Sequence, residues 1–451
     1  MQRVHVMNMT KGKPLPLLAV FAFPLLIGNL FQQAYMLADS AIVGRLLGAG
    51  ALAAVGSTGS ISFLFFSLCN GISSGGGVVT AQYFGADKPE MVKRTIVNSA
   101  YVLLSISLVT GGLSFALVPT VLAWMETPAD ILPDAITYMR ITCASMPMVA
   151  LYNYSSSIQR ALGDSRTPLY FLIFSCFVNI GLDLFFVGPL HMGVFGAALA
   201  TALSQLLAGS GSLLYAVRFN DYFRISRRLF AFSPRIARET LRLGLPMAMQ
   251  WSLIAISTSS LQSFVNRFGT TAVAAYTATC RIDQLVQQPF GSLSMALASY
   301  CGQNYGAGLH SRIRLGFKDS MLAMAVISIL MTLVMQFFGR SIVGMFVAEE
   351  EVRLLGGTAL RITSLFYLFL GAIYVTRGVL NGVGDAFFSF LNGIVEMAGR
   401  IGLPYLLVLL PGVGVWSIWL TAGLTWMLSS LICVFRYLQW LRRLMHRTGS
   451  A

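Results

Sequence analysis

Acidic side chains inside long apolar stretches are the residues of this sequence best suited to chemistry. Of the 17 acidic residues, four fall within or at the edge of such stretches: Asp39, Asp183, Asp283 and Glu396. An ionisable side chain in an apolar span is costly and is usually functional. Asn179 lies four residues before Asp183, so the two share one face of a helix. This pair offers an amide and a carboxylate at one point of a span.

Three further polar residues are expected at a similar depth. Asp39 and Tyr138 lie near the outer ends of their spans, while Asp183 and Thr201 should lie roughly 7 and 10 Å below the outer boundary. Two carboxylates with neutral oxygens suit Na⁺, and neighbouring carboxylates in a low dielectric also favour sharing a proton. The alternative is that Asp39 only caps a span and that Asn179 and Asp183 form an interhelical hydrogen-bonded pair.

Composition places these residues in a membrane. The 451 residues are 56% hydrophobic and 11% charged, with a mean hydropathy of +0.72. Soluble domains are about 45–50% apolar and about 25% charged, so a soluble globular protein is excluded. The net charge of +14 does not indicate a nucleic-acid partner, because the basic residues fall mainly in short connections between apolar stretches.

The apolar stretches are long enough for membrane-spanning helices, which need about 20 residues each. The sequence predicts twelve spans, all helical because the backbone must satisfy its own hydrogen bonds in lipid. Their approximate limits are 15–38, 52–81, 95–118, 135–157, 169–187, 194–217, 244–266, 272–300, 319–345, 355–376, 386–409 and 414–437. We therefore expect an all-α membrane protein.

The distribution of basic residues predicts the orientation of the spans. Connections on the side of the two termini hold 23 of the 31 Lys and Arg residues, including Arg377 in the connection 377–385, and the opposite connections hold four. Basic residues collect on the cytoplasmic side. We expect a multi-pass protein of the bacterial cytoplasmic (inner) membrane with both termini in the cytoplasm and with membrane lipid as a partner.

The sequence also repeats itself. A shift of about 221 residues superimposes matched positions: Gln82 on Gln303, Gly85 on Gly306 and Gly163 on Gly384, with Pro24 on Pro246 at an offset of 222. The predicted domains are an N-terminal six-helix lobe (1–218), a basic cytoplasmic connecting loop (219–243) and a C-terminal six-helix lobe (244–451). Parallel repeats of this kind predict two pseudo-symmetric bundles around a central cavity, and a transporter that works by alternating access.

The second lobe differs where the first has its polar cluster. The repeat carries Asn179 to Arg400 and Asp183 to Pro404, and a guanidinium argues against a second cation site. Glu396 and Arg400 have the spacing of an intrahelical ion pair, which Arg281 and Asp283 would join. We expect a structural ion-pair cluster, with direct substrate contact by Arg400 as the alternative. Polar residues that would face the interlobe cavity and contact substrate include Gln33, Gln250 and Gln287.

Enzymatic chemistry finds little support. The sequence has no nucleophile–base pattern and no phosphate-binding loop after a strand. The run Gly75-Gly76-Gly77 lies inside a predicted span, where it indicates close helix packing. We expect no enzyme activity, no catalytic residues and no cofactor.

Taken together, these features resemble the multidrug and toxic compound extrusion (MATE) family over nearly the whole chain. The likeness rests on the twelve spans in two related halves, the signatures at Gln82–Ala86 and Gln303–Ala307, and Pro24 and Asp39 in the first span. The resemblance implies Asp39, Asn179, Asp183 and Thr201 as cation ligands, binding Na⁺ if the protein is sodium-coupled, with Tyr138 and Asn153 in the surrounding polar network.

The resemblance further implies export of organic, often cationic or amphipathic compounds, such as drugs and toxins, in exchange for inward H⁺ or Na⁺. We expect a functional monomer. One branch of the family carries acidic residues on spans 7 and 10, and this chain has none there, which places all coupling in the first lobe. The alternative is a lipid-linked precursor flippase of the same wider superfamily, although such flippases tend to have extra spans and a strongly cationic cavity.

Overall fold

The computed structural model describes residues 6–448, apart from the side chains of Ser60 and residues 445–448. This part of the chain is helical, with no strand and with four short 3₁₀ turns. It contains fourteen α-helices: α1 (Pro14–Ser57), α2 (Gly59–Gly85), α3 (Pro89–Trp124), α4 (Leu132–Ala144), α5 (Met146–Ala161), α6 (Arg166–Val187), α7 (Gly193–Phe219), α8 (Pro234–Val265), α9 (Thr270–Gly306), α10 (His310–Gly344), α11 (Glu350–Ser364), α12 (Tyr367–Gly382), α13 (Ala386–Leu407) and α14 (Ser417–Thr448).

Two of the twelve predicted spans are built from two helices each. The fourth predicted span consists of α4 and α5, which meet at Ser145, and Pro147 in the first turn of α5 favours a break there because proline cannot continue the preceding helix. The tenth consists of α11 and α12, bent by 52°. Pairing these helices reduces the fourteen in residues 6–448 to twelve spans. Seven helices are long and apolar enough to cross a membrane alone, and the bent pair makes an eighth.

The predicted limits of the first two spans are wrong by more than a turn. α1 ends at Ser57, but it is interrupted at Gly48 within the connection expected between residues 38 and 52, and α2 begins at Gly59. The helix changes direction at Gly48, which has φ +86°. A residue without a Cβ reaches this conformation at little cost. The connection is rich in Ala, Leu and Gly and has no proline, so most of it is compatible with helix.

The described chain forms two compact units. The first contains the described residues up to Lys11, Val20–Met249 and Gly302–Gly308, and the second contains Gly12–Ala19, Gln250–Cys301 and the described residues from Leu309 onward. The linker 219–243 is not an open loop, because it forms two 3₁₀ turns and the first ten residues of α8. The linker lies in the first unit.

The run Gly75-Gly76-Gly77 brings α2 into contact with three other helices of the first unit. A Cβ on Gly75 would lie 2.5 Å from the backbone nitrogen of Gly244 on α8. The same atom on Gly76 or Gly77 would lie 2.7 or 2.5 Å from a serine hydroxyl oxygen on α3 or α5. These separations are shorter than any tolerated Cβ contact, so the predicted role of the run in close packing is confirmed.

Replacing Gly75 by Ala is expected to destabilise the protein by about 1–3 kcal/mol, because the backbone of α8 has to move away. The matched control is Gly112→Ala on α3, where a Cβ meets nothing within 4 Å. Because alanine has a higher helix propensity than glycine, Gly112→Ala should leave the free energy of unfolding unchanged or raise it by up to about 1 kcal/mol. Thermal unfolding of the two purified variants checks this, and equal melting temperatures would contradict the packing argument.

The two repeat signatures also meet within the first unit. A Cβ on Gly85 would lie 1.8 Å from the carbonyl oxygen of Gln303, and a Cβ on Gly306 would lie 1.8 Å from the carbonyl oxygen of Gln82. The side chain of Gln303 accepts a hydrogen bond from the backbone N–H of Met9 at 2.8 Å. The contact is reciprocal, which explains why a glycine occurs at the same place in both halves of the sequence.

Candidate cation site

The candidate site lies in the first unit, where α6 and α7 pack closely. Asp183 is fully buried on α6, and Asn179, one turn earlier, is 1% exposed. The hydroxyl of Ser175 on α6 donates to the backbone carbonyl of Ser204 on α7 at 3.2 Å. Such an approach is possible because α7 presents small residues, among them Ala200, which is fully buried. α6 and α7 therefore hold the site's polar side chains in a fixed, buried place.

Two carboxyl groups from different helices meet at this place. The side chain of Asp39 on α1 is within hydrogen-bonding range of the side chain of Asp183. An ionised carboxylate only accepts hydrogen bonds, so two carboxyl groups can bond to each other only when a proton lies between them. Without that proton, the two like charges require a cation to bridge them. The pair is therefore suited to holding one small positive charge.

Neutral oxygen groups complete the site. The amide of Asn179 donates to the hydroxyl of Thr201 on α7 at 3.2 Å. The hydroxyl of Tyr35 on α1 lies within hydrogen-bonding range of the same threonine. Tyr138 on α4 lies close enough to both aspartates for its hydroxyl to interact with them electrostatically. Among the side chains that the structure describes, no group of three or more His, Cys, Asp or Glu residues is placed to hold a metal ion. The site's two carboxylates and neutral oxygens match hard monovalent cations better than transition metals.

The structure thus brings together five of the six residues that the sequence placed here, namely Asp39, Tyr138, Asn179, Asp183 and Thr201. Their role as ion ligands stays a prediction.

The sixth residue, Asn153, has a hydrogen-bond partner in its own helix. Its amide donates to the carbonyl of Val149 in its own helix at 3.0 Å. Its neighbour Tyr152 packs against Gly209 of α7. Gly209 lies eight residues beyond Thr201, or about 12 Å along the helix. The neighbouring residue of Asn153 thus packs about two helical turns from the level of Thr201, and membership of Asn153 in the polar network of the site stays a prediction.

Tyr35 also belongs to the site, although its spacing in the sequence did not single it out. It lies four residues before Asp39 on α1 and therefore shares its helix face. Asn179 and Asp183 have the same four-residue spacing. Aromatic residues are so common in the spans, however, that a tyrosine at this spacing does not by itself indicate a site. Its hydroxyl links α1 to α7 through Thr201. This link makes Tyr35 a positioning residue for the pair.

Replacing Tyr35 by Phe is expected to weaken ion binding by about 2- to 12-fold, because one hydrogen bond contributes roughly 0.5–1.5 kcal/mol. The matched control is Tyr152→Phe, whose hydroxyl donates to the carbonyl of Pro168 at 3.4 Å, away from the carboxyl pair. The measurement is the ion concentration that gives half-maximal thermal stabilisation of each purified variant. An unchanged value for Tyr35→Phe would contradict the positioning role.

The second unit holds an ion-pair cluster instead of a carboxyl pair. Arg377 on α12 forms an ion pair with Glu396 on α13, and Arg400 lies 3.8 Å from the same carboxylate. Arg400 also donates to the hydroxyl of Thr258 on α8 at 3.0 Å. The spacing of Glu396 and Arg400 therefore produces the expected intrahelical pair. Because Glu396 is 4% exposed, this carboxylate is shared between two guanidinium groups inside the protein.

Two expectations about this cluster are wrong. Asp283 does not join it but accepts a hydrogen bond from the hydroxyl of Tyr367 at 2.8 Å, and Arg281 is exposed. Arg377, assigned to a connection by its position after the tenth apolar stretch, lies inside α12 and is 8% exposed. The tenth predicted span ends just before Arg377 only because a charged residue interrupts the apolar stretch there. Its buried partner on another helix was not visible in the sequence.

The residues expected to face a cavity are distributed over both units. Gln33 is half-buried on α1 in the first unit. In the second unit, Gln250 is buried and packs against Gly393, and Gln287 accepts a hydrogen bond from Tyr374 at 3.0 Å. Contact of these residues and of Arg400 with substrate stays a prediction.

Comparison with known proteins supports the twelve-span reading. The MatE family matches residues 24–185 and 246–406, one match in each half of the repeat. The Bacillus subtilis proteins named "Probable multidrug resistance protein" YpnP and YoeA are 27% and 29% identical, over 96% and 88% of this chain and 97% and 89% of their own. "Multidrug export protein MepA" of Staphylococcus haemolyticus is 24% identical over 92% of this chain and 90% of its own.

Solved structures agree with the same architecture. A structure described as MATE in the bent conformation has a TM-score of 0.93 at 23% identity and covers all of both chains. A MOP superfamily transporter from Pyrococcus furiosus has a TM-score of 0.92 at 23% identity, covering 98% of this chain and 99% of its own. These likenesses confirm the fold class, an all-α membrane protein with twelve spans. The family match covers most of both halves, and the chain belongs to the MatE family of multidrug efflux transporters.

Proposed function

We propose that this protein is a secondary antiporter that exports organic, often cationic or amphipathic compounds in exchange for inward H⁺ or Na⁺. The observation that carries the proposal is the proximity of the buried carboxyl group of Asp183 to the half-buried carboxyl group of Asp39. The relatives named for multidrug resistance or export support the class of substrate. The excess of basic residues in the connections on the side of the two termini, which remains when Arg377 is left out, supports a location in the bacterial inner membrane with both termini in the cytoplasm.

The chemistry follows from the charge of the carboxyl pair. With one proton or one Na⁺ bound, the pair carries a single net negative charge, and the two side chains can remain in contact. When the ion leaves, two like charges face each other in a low-dielectric site, where their repulsion is strong. α1 carries Asp39 and α6 carries Asp183, so this repulsion acts between two helices.

Coupling follows if substrate and ion favour different conformations of this site. Pro24 lies inside α1, 15 residues before Asp39, and removes one backbone hydrogen bond of the helix. α1 can therefore bend at lower cost than an uninterrupted helix. Ion binding and substrate binding then oppose each other through the shape of α1, which is ordinary linkage between two sites.

The proposed ion site has no counterpart in the second half of the chain. The repeat carries Asn179 to Arg400, which lies beside Glu396 and carries a fixed positive charge. A cation would be repelled at that position, because Arg remains protonated. Ion coupling is therefore assigned to the first unit alone, and the protein is proposed to act as a monomer without a cofactor.

Efflux from proteoliposomes under separately imposed gradients tests the proposal. A fluorescent organic cation is loaded into the vesicles, and an inward Na⁺ gradient or an inward proton gradient is then applied at constant membrane potential. We expect one of the two gradients to accelerate dye release, which also identifies the ion. Dye release that ignores both gradients would contradict antiport, and movement of a lipid-linked saccharide without dye transport would favour the flippase alternative.

A further inference from the structure

The first unit contains an apolar cavity remote from the carboxyl pair. It has a volume of about 280 Å³ and lies where α3, α5 and α7 meet the linker. Buried residues form its floor: Ile96, Leu103, Ala150, Tyr154 and Phe223. Residues that are more than a third exposed form its rim: Tyr101, Leu104, Val217 and Phe230. The cavity is therefore a pocket that opens at the surface of the first unit.

The opening lies along a helix face that is suited to lipid. α3 begins with charged residues at Lys93 and Arg94 and then becomes strongly apolar. Beyond the rim residue Leu104, Leu108 and Val109 are 56% and 67% exposed on the same helix. Exposed aliphatic side chains on a membrane-spanning helix contact acyl chains. The pocket thus opens at the level where the apolar part of the membrane begins.

The linker forms the polar edge of the pocket and is held in place. Three hydrogen bonds join it to α3: Lys93 Nζ to the carbonyl of Arg224 at 2.9 Å, the backbone N–H of Ser233 to Asn98 Oδ1 at 2.7 Å, and the hydroxyl of Tyr101 to the carbonyl of Phe230 at 3.1 Å. Because the bonds use backbone groups of the linker, they fix its path over the pocket.

This edge is strongly basic. The lining residues Ile225 and Phe230 stand beside Arg224, Arg227 and Arg228, all three of which are exposed. Residues 87–94 and 218–230 together carry seven basic and three acidic side chains. Two of the acids are already paired, Glu90 with Arg94 and Asp221 with Arg224. An apolar pocket and a surplus of positive charge therefore adjoin each other.

We propose that this pocket binds an anionic phospholipid, with one acyl chain in the cavity and its phosphate against Arg227 and Arg228. The cavity of about 280 Å³ is lined mainly by apolar side chains and opens beside exposed aliphatic residues of α3, which suits part of an acyl chain. Basic residues next to a membrane attract anionic headgroups. The proposal is independent of the antiport mechanism, since none of these residues belongs to the carboxyl pair.

Lipid-dependent thermal stability tests the headgroup contact. The purified full chain in neutral detergent is titrated with phosphatidylglycerol or with phosphatidylcholine of the same acyl chains. We expect saturable stabilisation by the anionic lipid and little by the zwitterionic one. The double variant Arg227→Gln, Arg228→Gln should raise the half-saturating concentration roughly 30-fold, because each charge removed weakens binding about fivefold.

The matched control is Arg442→Gln, Arg443→Gln, which removes the same charge from two adjacent exposed positions on α14. Its half-saturating concentration should change by less than about threefold, because neither residue flanks the cavity. Equal effects of the two double variants, or equal stabilisation by both lipids, would overturn the proposed site and leave only general attraction to a charged membrane.

Photo-crosslinking tests the chain position. Phosphatidylglycerol with a diazirine in one acyl chain should label peptides of α3, α5 or α7 that line the cavity, and Ala100→Phe, which fills it, should abolish that labelling. Labelling confined to other helices would overturn the proposal. Loss of labelling when a transported dye is added at saturating concentration would also overturn it, because the occupant would then be the substrate.

Discussion

We expect that replacing both Asp39 and Asp183 by Asn abolishes the proposed ion-driven efflux while the protein remains folded. Asparagine keeps the size of the side chain and its ability to hydrogen-bond, so the contact between α1 and α6 persists. It cannot bind or release a proton, and it removes the charge that attracts Na⁺. We expect efflux in proteoliposomes to fall by roughly 100-fold or to background, the upper end of ordinary coupling energies.

Asp283→Asn provides the matched control for this loss. Asp283 is also a carboxyl group within the spans, but it lies in the second unit and accepts a hydrogen bond from Tyr367. Its replacement should leave the response of efflux to the ion gradient intact. Normal drug resistance in cells that produce the Asp39→Asn, Asp183→Asn protein would refute the assignment. Equal loss in the Asp283 variant would show that any neutralised membrane carboxylate impairs the protein.

Replacing Glu396 by Gln is expected to destabilise the protein by about 3–5 kcal/mol. Glu396 lies between Arg377 and Arg400, and the three side chains are 5%, 9% and 15% exposed. Without the carboxylate, two guanidinium groups face each other away from water, and an uncompensated buried charge carries this cost. Denaturation of the purified variant in detergent, followed by tryptophan fluorescence, measures the loss.

The matched control is Glu350→Gln, at a carboxylate that is also shared between two arginines but lies at the surface. Glu350 forms ion pairs with Arg340 and Arg353, but its side chain is 51% exposed. Glu350→Gln should cost about 1 kcal/mol or less, because solvent screens exposed charges. A similar loss of stability in both variants would mean that burial does not determine the cost at Glu396. Retained stability with altered substrate choice after replacement of Arg400 would favour substrate contact over a structural role.

Much of the architecture could be predicted because it depends on local chemistry. Apolar runs of about 20 residues predict membrane spans. The sequence repeat then predicts the same six-helix arrangement in both halves of the chain. Depth within a span follows from the helical rise alone, which is why Asp39, Asp183, Thr201 and Tyr138 were expected at one level. The structure brings them together because α1, α4, α6 and α7 are neighbours around that level.

What could not be predicted depends on partners that are distant in the sequence. Arg377 reads as the start of a connection, and only the neighbouring Glu396 explains its burial in α12. Asp283 reads as a possible member of that cluster, yet its partner is Tyr367. Tyr35 is recognised only when Thr201 of α7 is seen beside it. In each case the relevant contact is between helices, and periodicity within one helix contains no information about it.

Ion movement driven by a substrate gradient tests the central claim most directly. Vesicles contain the protein with equal Na⁺ and pH on both sides, and an inward gradient of the organic substrate is the only driving force. We predict an opposite flux of Na⁺ or H⁺ in the wild-type protein and none in the Asp39→Asn, Asp183→Asn protein. Substrate entry without counterflow of either ion, or counterflow that survives in the double variant, would contradict the account.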